Sequence, residues 1–162
     1  LLPFSAKDVL NAEGRLLLAD ALDYANNYKP EAVIDIATLT GGALYVLGYA
    51  GAPIVANNKK LADAIRQAAN ISAERVWEMP LWDDFRDAMK SPIADLWNSG
   101  GKAAPTLTAA AFLENFIGDY NWAHIDIAYM DLEKSGQPYI PKGSTGFGVR
   151  LLVQLLMDWR KL

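Results

Sequence analysis

Three short runs constrain this chain most. "AVIDIA" (32–37), "APIVA" (52–56) and "NWAHIDIA" (121–128) are nearly continuously apolar, and the first two lead through turns into segments of helical period. A strand that is apolar at almost every position must be covered on both faces, and helices alternating with strands supply those covers. The pattern predicts an α/β fold, a mostly parallel sheet with helices on both faces. Leu17, Leu18, Ala21, Leu22 and Ala25 recur at three- and four-residue spacing between Arg15 and about Asn26, predicting a helix whose stripe faces the core. Leu61, Ile65 and Ala68 form the same kind of stripe in a helix over 59–70. "TLTAAAFLENFI" (106–117) reads as a helix with Thr106 near its start, and "GVRLLVQLLMDW" (148–159) as a terminal one. "RVWEMP" (75–80) reads as extended and "WDDFRDAM" (82–89) as a short amphipathic piece. The string "SPIADLWNSGGKAAP" (91–105) has the Gly, Pro and Asn content of a long surface loop. Ligands of such sheets bind beyond the carboxyl ends of the strands, which singles out Thr38 to Gly42 and Ala128 to Asp131.

The composition narrows the chemistry. At 162 residues, 52% hydrophobic and 21% charged, the chain fits one domain with a sizeable core. Its net charge of -4 and scattered Lys and Arg exclude the basic footprint that nucleic acid requires. The absence of cysteine removes disulfides and thiolate ligands, agrees with a reducing cytoplasm, and leaves oxygen ligands for any metal. No apolar run approaches the roughly 20 residues that span a bilayer. "LLPFSAKDVL" has no basic region ahead of its apolar residues, so a soluble, untargeted chain is expected. "GGKAA" and "GSTGFG" lack the spacing of phosphate-binding loops. His124, the sole histidine, lies inside a strand, where a hydrogen-bonded structural imidazole is expected rather than a ligand or base. No serine sits in a G-x-S-x-G elbow.

The stretch "NAEGRLLLAD" (11–20) is harder to read as structure alone. Glu13 suits a helix N-terminus, where the backbone dipole favours an anion and Asn11 can cap the first turn. The same dipole disfavours Arg15, and a bound anion or a carboxylate partner would resolve that conflict. The residues by themselves leave Glu13 either a metal ligand or a helix-start acid.

Five strings, "NAEGRLLLADAL", "VIDIATLTGG", "IADLWNSGGKAAPTLTAAAFL", "WAHIDIA" and "KGSTGFGVRLL", together resemble the second half of the catalytic domain of the leucyl (cytosol) aminopeptidases, in order and at compatible spacing. The resemblance implies a two-metal exopeptidase that removes N-terminal residues, leucine-type, from peptides by means of a metal-activated water. It implies two divalent ions (Zn, Mn or Mg), a peptide substrate, a cytoplasmic setting and assembly as a hexamer. It also implies that Glu13 is a metal ligand and that Arg15 holds a bicarbonate acting as general base. By the same likeness, Thr38, Leu39 and Gly41 line the substrate groove, and Ala128 helps wall the side-chain pocket.

The chain departs from the family at several positions. Asn11 stands where the N-T-D-A-E-G-R-L signature has its aspartate, and an amide is a poorer partner for a divalent cation than a carboxylate. Tyr129 replaces a usual glycine, and Pro105 a small residue or glycine. The family's lysine and two further aspartate ligands belong to an upstream segment that residues 1–10 do not supply. Residues 1–10 therefore read as a remnant or junction, and 11–162 as a partial metallo-aminopeptidase catalytic domain. Three readings follow: a piece of an aminopeptidase whose missing upstream half completes the site, an inactive relative acting as scaffold or regulatory subunit in a hexamer, or a generic α/β binding domain. On the first, the chain alone is expected to be nearly inert and to leave a sheet edge and an apolar face uncovered.

Overall fold

The computed structural model describes residues 12–160, so the expected Asn11 cap and the 1–10 junction lie outside the described residues. Helix α1 (Gly14–Ala25) leads through a single 3-10 turn (Asn26–Tyr28) into β1 (Ala32–Ala37). Then follow α2 (Gly42–Leu47), β2 (Ala52–Ala56), α3 (Lys59–Ser72), β3 (Val76–Glu78) and α4 (Asp83–Asp87). Helix α5 (Pro105–Glu114), β4 (Asn121–Asp126), the short pair β5 (Leu132–Glu133) and β6 (Gly143–Ser144), and α6 (Val149–Met157) complete the order.

Among the described residues the main sheet runs β1-β4-β2-β3. Strands β1 and β4 are parallel along their whole length, Ala32 opposite Asn121 and Ala37 opposite Asp126. Strands β2 and β3 are also parallel, but β2 meets β4 antiparallel, Ile54 opposite Ile125. The mostly parallel expectation thus describes two parallel pairs joined back to back. The carboxyl ends of β1 and β4 come out at the same edge, and the segments singled out from the sequence follow them.

Side-chain alternation along the strands divides the core into two layers. One face of the sheet carries Val55 and Trp122 against Ala19 and Leu22 of α1 and Leu107, Ala110, Ala111 and Leu113 of α5. The other carries Ile54, Ala123 and Ile125 against Leu61, Ile65 and Ala68 of α3 and Leu151 and Leu155 of α6. Helices cover both faces, as the apolar strands required. Helix α5 is buried at every position from Thr106 to Leu113, and its three alanines, Ala109 to Ala111, let its backbone sit close to the sheet and to α1. It ends at Glu114 rather than Ile117, because the Asn115 amide donates back to the Ala111 carbonyl at 2.8 Å.

The stripe expected on α1 is rolled. Leu17 is 73% exposed and Ala21 is exposed, while Arg15, Ala19 and Leu22 are buried. Arg15 turns inward to donate from Nη1 to the carbonyl of Asn98 at 2.8 Å, and the face containing it follows. The stripe on α3 is as expected, with Leu61 and Ile65 wholly buried. On α6 the inner Leu151 and Leu155 are buried, whereas Val149, Val153, Leu156 and Met157 leave an apolar strip facing outward. No helix among the described residues is long and apolar enough to cross a membrane.

Polar groups cross the α1/α5 face of the sheet. Asp35 of β1, opposite His124 in register, accepts from the Trp122 indole at 2.7 Å and from His124 Nδ1. The histidine is therefore a hydrogen-bonded strand residue, as its sequence context suggested. Removing the shared acceptor leaves two buried donors without a partner, so Asp35→Ala is expected to lower the unfolding free energy by about 3 kcal/mol in urea titration.

Candidate functional site

The site is built at the edge where β1 and β4 end. Asp126, the last residue of β4, is wholly buried. Its Oδ1 accepts from the backbone N–H of Leu39 at 3.0 Å and of Ala128 at 3.2 Å. Its Oδ2 accepts from the Thr40 N–H at 3.1 Å and from the Thr40 hydroxyl at 2.6 Å. Four donors satisfy a carboxylate that burial alone would make costly. The two segments that follow the parallel strands are thereby tied to one side chain.

The turn after β1 is gripped from its other side by α5. Thr40 Oγ1 lies 2.8 Å from Thr106 Oγ1, in the first turn of that helix. Gly42 sits where a Cβ would come within 2.5 Å of Pro105 Cγ and 2.8 Å of Thr106 Oγ1, so the close approach requires glycine. Pro105 is the first residue of α5, a position that tolerates the missing N–H.

Arg15 reaches the same region from α1. Its guanidinium is buried, makes one bond to Asn98, and leaves Nε without a partner among the described residues. Burial holds its pKa below the ordinary value, and the field of the Asp126 carboxylate opposes that shift. Asp126 thus supplies part of the compensation that a cation in a first helical turn needs. Glu13, by contrast, is exposed, and its side chain caps nothing.

Glu13, Gly14, Arg15, Ala37, Thr38 and Leu39 line one cleft of about 440 Å³. Four residues singled out from the sequence, Glu13, Arg15, Thr38 and Leu39, therefore share a cavity. Gly41 and Ala128 do not line it. Gly41 lies beside the Tyr129 hydroxyl, 3.6 Å from where its Cβ would be. Ala128 is buried and joins Leu39 through the shared Asp126 oxygen. Tyr129 takes a left-handed backbone, φ 71°, where a glycine would be at ease, and its ring stands edge-on to Tyr49 at 6.2 Å. A larger hollow of about 530 Å³ opens beside Tyr49, Tyr129 and Glu74. The acid there is already engaged, accepting from the Gly148 and Leu151 N–H groups at the start of α6.

Among the described residues no three acidic or histidine side chains gather as a metal site requires. Glu13 is a single carboxylate, and the residues present do not by themselves make a two-metal centre.

Residues 8–153 match the sequence pattern of the cytosol aminopeptidase family, catalytic domain. The chain belongs to that family. It is similar to a probable cytosol aminopeptidase of Geobacter sulfurreducens, 53% identical over 146 residues, which are 90% of this chain and 29% of that protein. It is likewise similar to one of Chlorobaculum tepidum, 51% identical over 92% of this chain and 30% of that protein. A solved mutant of tomato leucine aminopeptidase superposes with a TM-score of 0.84 at 39% identity, over 90% of this chain and 28% of that one. The chain thus spans less than a third of the length of these cytosol aminopeptidase relatives.

Asp126 and Thr106 were not among the site residues singled out from the sequence, and Thr40 entered only as a member of the segment 38–42. An acid inside an otherwise apolar strand, the Asp of "HIDIA", was the available signal, because a charge buried at such a place must have partners. Gly42→Ala is expected to cost about 2 kcal/mol of stability by overpacking against Pro105 and Thr106, read by denaturant unfolding. Alanine at Gly41, which meets only the tip of Tyr129, should cost less.

Proposed function

We propose that this chain is the Glu13-to-Ala128 portion of a metal-dependent aminopeptidase site that removes N-terminal residues, leucine-type, from peptides. The observation that carries the reading is the cleft in which Glu13, Arg15, Thr38 and Leu39 meet beyond the carboxyl ends of parallel strands, in a chain of the cytosol aminopeptidase family. In this reading Glu13 contributes one carboxylate toward two divalent ions (Zn, Mn or Mg), which would polarise the scissile carbonyl and acidify a water. The remaining ligands come from the part of the relatives' length that this chain does not span, and Asn11 takes the place of one aspartate.

Arg15 fits the role of anion holder. A buried guanidinium whose Nε–H has no partner among the described residues, next to the N-terminus of a helix of 12 residues, presents donors and positive potential to a small oxyanion such as bicarbonate. Thr38, Leu39 and Gly41 offer backbone groups to the peptide, and Ala128 backs the pocket for its side chain. The homo-oligomer, a hexamer, and the cytoplasmic setting implied by the resemblance belong to the same reading. The exposed strip on α6 and the edge strand β1 are surfaces that the rest of such an assembly could cover.

The test is hydrolysis of leucine 4-nitroanilide with Mn²⁺, Zn²⁺ or Mg²⁺, by the chain alone and together with the upstream segment its relatives carry. Turnover only in the combined preparation, lost by more than about a hundredfold in Glu13→Gln, is the expected result, since a direct ligand should matter more than an outer-shell partner. An assembled hexamer without turnover in either preparation would favour the scaffold reading, with Asn11 as the lesion.

A further inference from the structure

The Asp126 carboxylate has more hydrogen-bond partners than any residue singled out for chemistry, yet it is not part of the lining of the cleft that holds Glu13, Arg15, Thr38 and Leu39. It is wholly buried, and every donor it accepts comes from the segments after β1 and β4: Leu39 N–H, Thr40 N–H, Thr40 Oγ1–H and Ala128 N–H. A strand end needs no such device. The β1/β4 ladder already extends to the Ile127 N–H bond with the Ala37 carbonyl at 2.8 Å. Beyond that bond, the backbone leaves the sheet and its N–H groups lose their ladder partners. Asp126 takes up three of them at once and, through Thr40 and Thr106, fixes them relative to α5.

We propose that Asp126 is a positioning residue for the substrate groove: its carboxylate holds Leu39, Thr40 and Ala128 as one unit, so that the exposed Thr38 and Gly41 on either side of that anchor present their peptide-binding groups in a fixed register to the Ala128 wall. The inference rests on the aminopeptidase reading above and deepens it. Arg15 adds to the arrangement, since its field and that of Asp126 act on one another across the same space. A small displacement of Asp126 or Thr40 would move both sides of the groove together, although neither residue meets the peptide.

A merely structural role and a positioning role predict different kinetics. Loss of folded protein lowers the concentration of active sites and leaves KM alone. A loosened groove weakens the binding of ground state and transition state alike, raising KM with kcat nearly unchanged. The variant of choice is Thr40→Val, which keeps the shape but removes the hydroxyl that bonds Asp126 and Thr106. Thr40→Ser, which keeps the hydroxyl, is the rescue. In the full-length polypeptide with Mn²⁺, Thr40→Val is expected to raise KM for leucine 4-nitroanilide about tenfold, with kcat changed less than about threefold. Backbone amide exchange at Leu39 and Thr40 should accelerate by about tenfold or more in the same variant. Thr40→Ser should restore both, and Asp126→Asn, if it folds, should reproduce the Thr40→Val pattern more strongly.

Thr40→Val with wild-type KM and exchange, whatever its melting temperature, overturns the positioning role. A fall in kcat alone, with KM unchanged, overturns it equally. Wild-type polypeptide that shows no turnover with Mn²⁺, Zn²⁺ or Mg²⁺ overturns the aminopeptidase reading, and the groove role of Asp126 with it.

Discussion

The four hydrogen bonds into the Asp126 carboxylate are the constraint on which the functional end of this molecule depends. A charge with no solvent exposure survives in a core only when its lone pairs are satisfied, and here the satisfying donors are three backbone N–H groups left without partners where two strands leave the sheet, together with the Thr40 hydroxyl. One residue thus meets two needs. The ends of β1 and β4 are closed without exposing their amides, and the turn at 38–41 is held at a set height above the sheet.

The packing around that carboxylate follows from small residues. Helix α5 carries Ala109, Ala110 and Ala111 against the sheet, which brings Thr106 near enough to Thr40 to bond it and leaves room for only a hydrogen atom on Gly42. Farther along the same face, Trp122, His124 and Asp35 form a second polar cluster under α1 and α5, where the acid serves two donors. This face therefore combines a close-packed apolar layer with two hydrogen-bonded acids, Asp126 wholly buried and Asp35 partly so. Asp126 has four donors and Asp35 two, whereas His124 Nε2 has no partner among the described residues. The opposite face packs Ile54, Ala123 and Ile125 against α3 and α6, with the buried Glu74 carboxylate at the start of α6.

Much of the architecture was legible in the sequence. The apolar runs at 32–37 and 52–56 became strands with those bounds, and the Leu61, Ile65 and Ala68 stripe is buried as its period required. What local pattern could not show was the roll of α1. The period places Leu17 and Ala21 on the stripe, but the pull of Arg15 toward Asn98 is a contact across 83 residues and decides which face turns in. The antiparallel meeting of β2 and β4 is likewise a matter of long-range order, which strand composition does not encode. For the site, Glu13, Arg15, Thr38 and Leu39 came together in one cleft, whereas Asp126 and the part played by the Thr40 hydroxyl escaped notice because they lie in bonds between distant segments. The metal role proposed for Glu13 rests on resemblance alone, since a single carboxylate carries no ligand geometry of its own.

The central claim is that Asp126 and Thr40 act as one unit at the ends of the parallel strands. A double-mutant cycle of Asp126→Asn and Thr40→Val, followed by urea unfolding, tests it most directly. The claim predicts a coupling free energy of about 2 kcal/mol, the range for a hydrogen bond to a charged group. Additive effects, within about 0.5 kcal/mol, would contradict it.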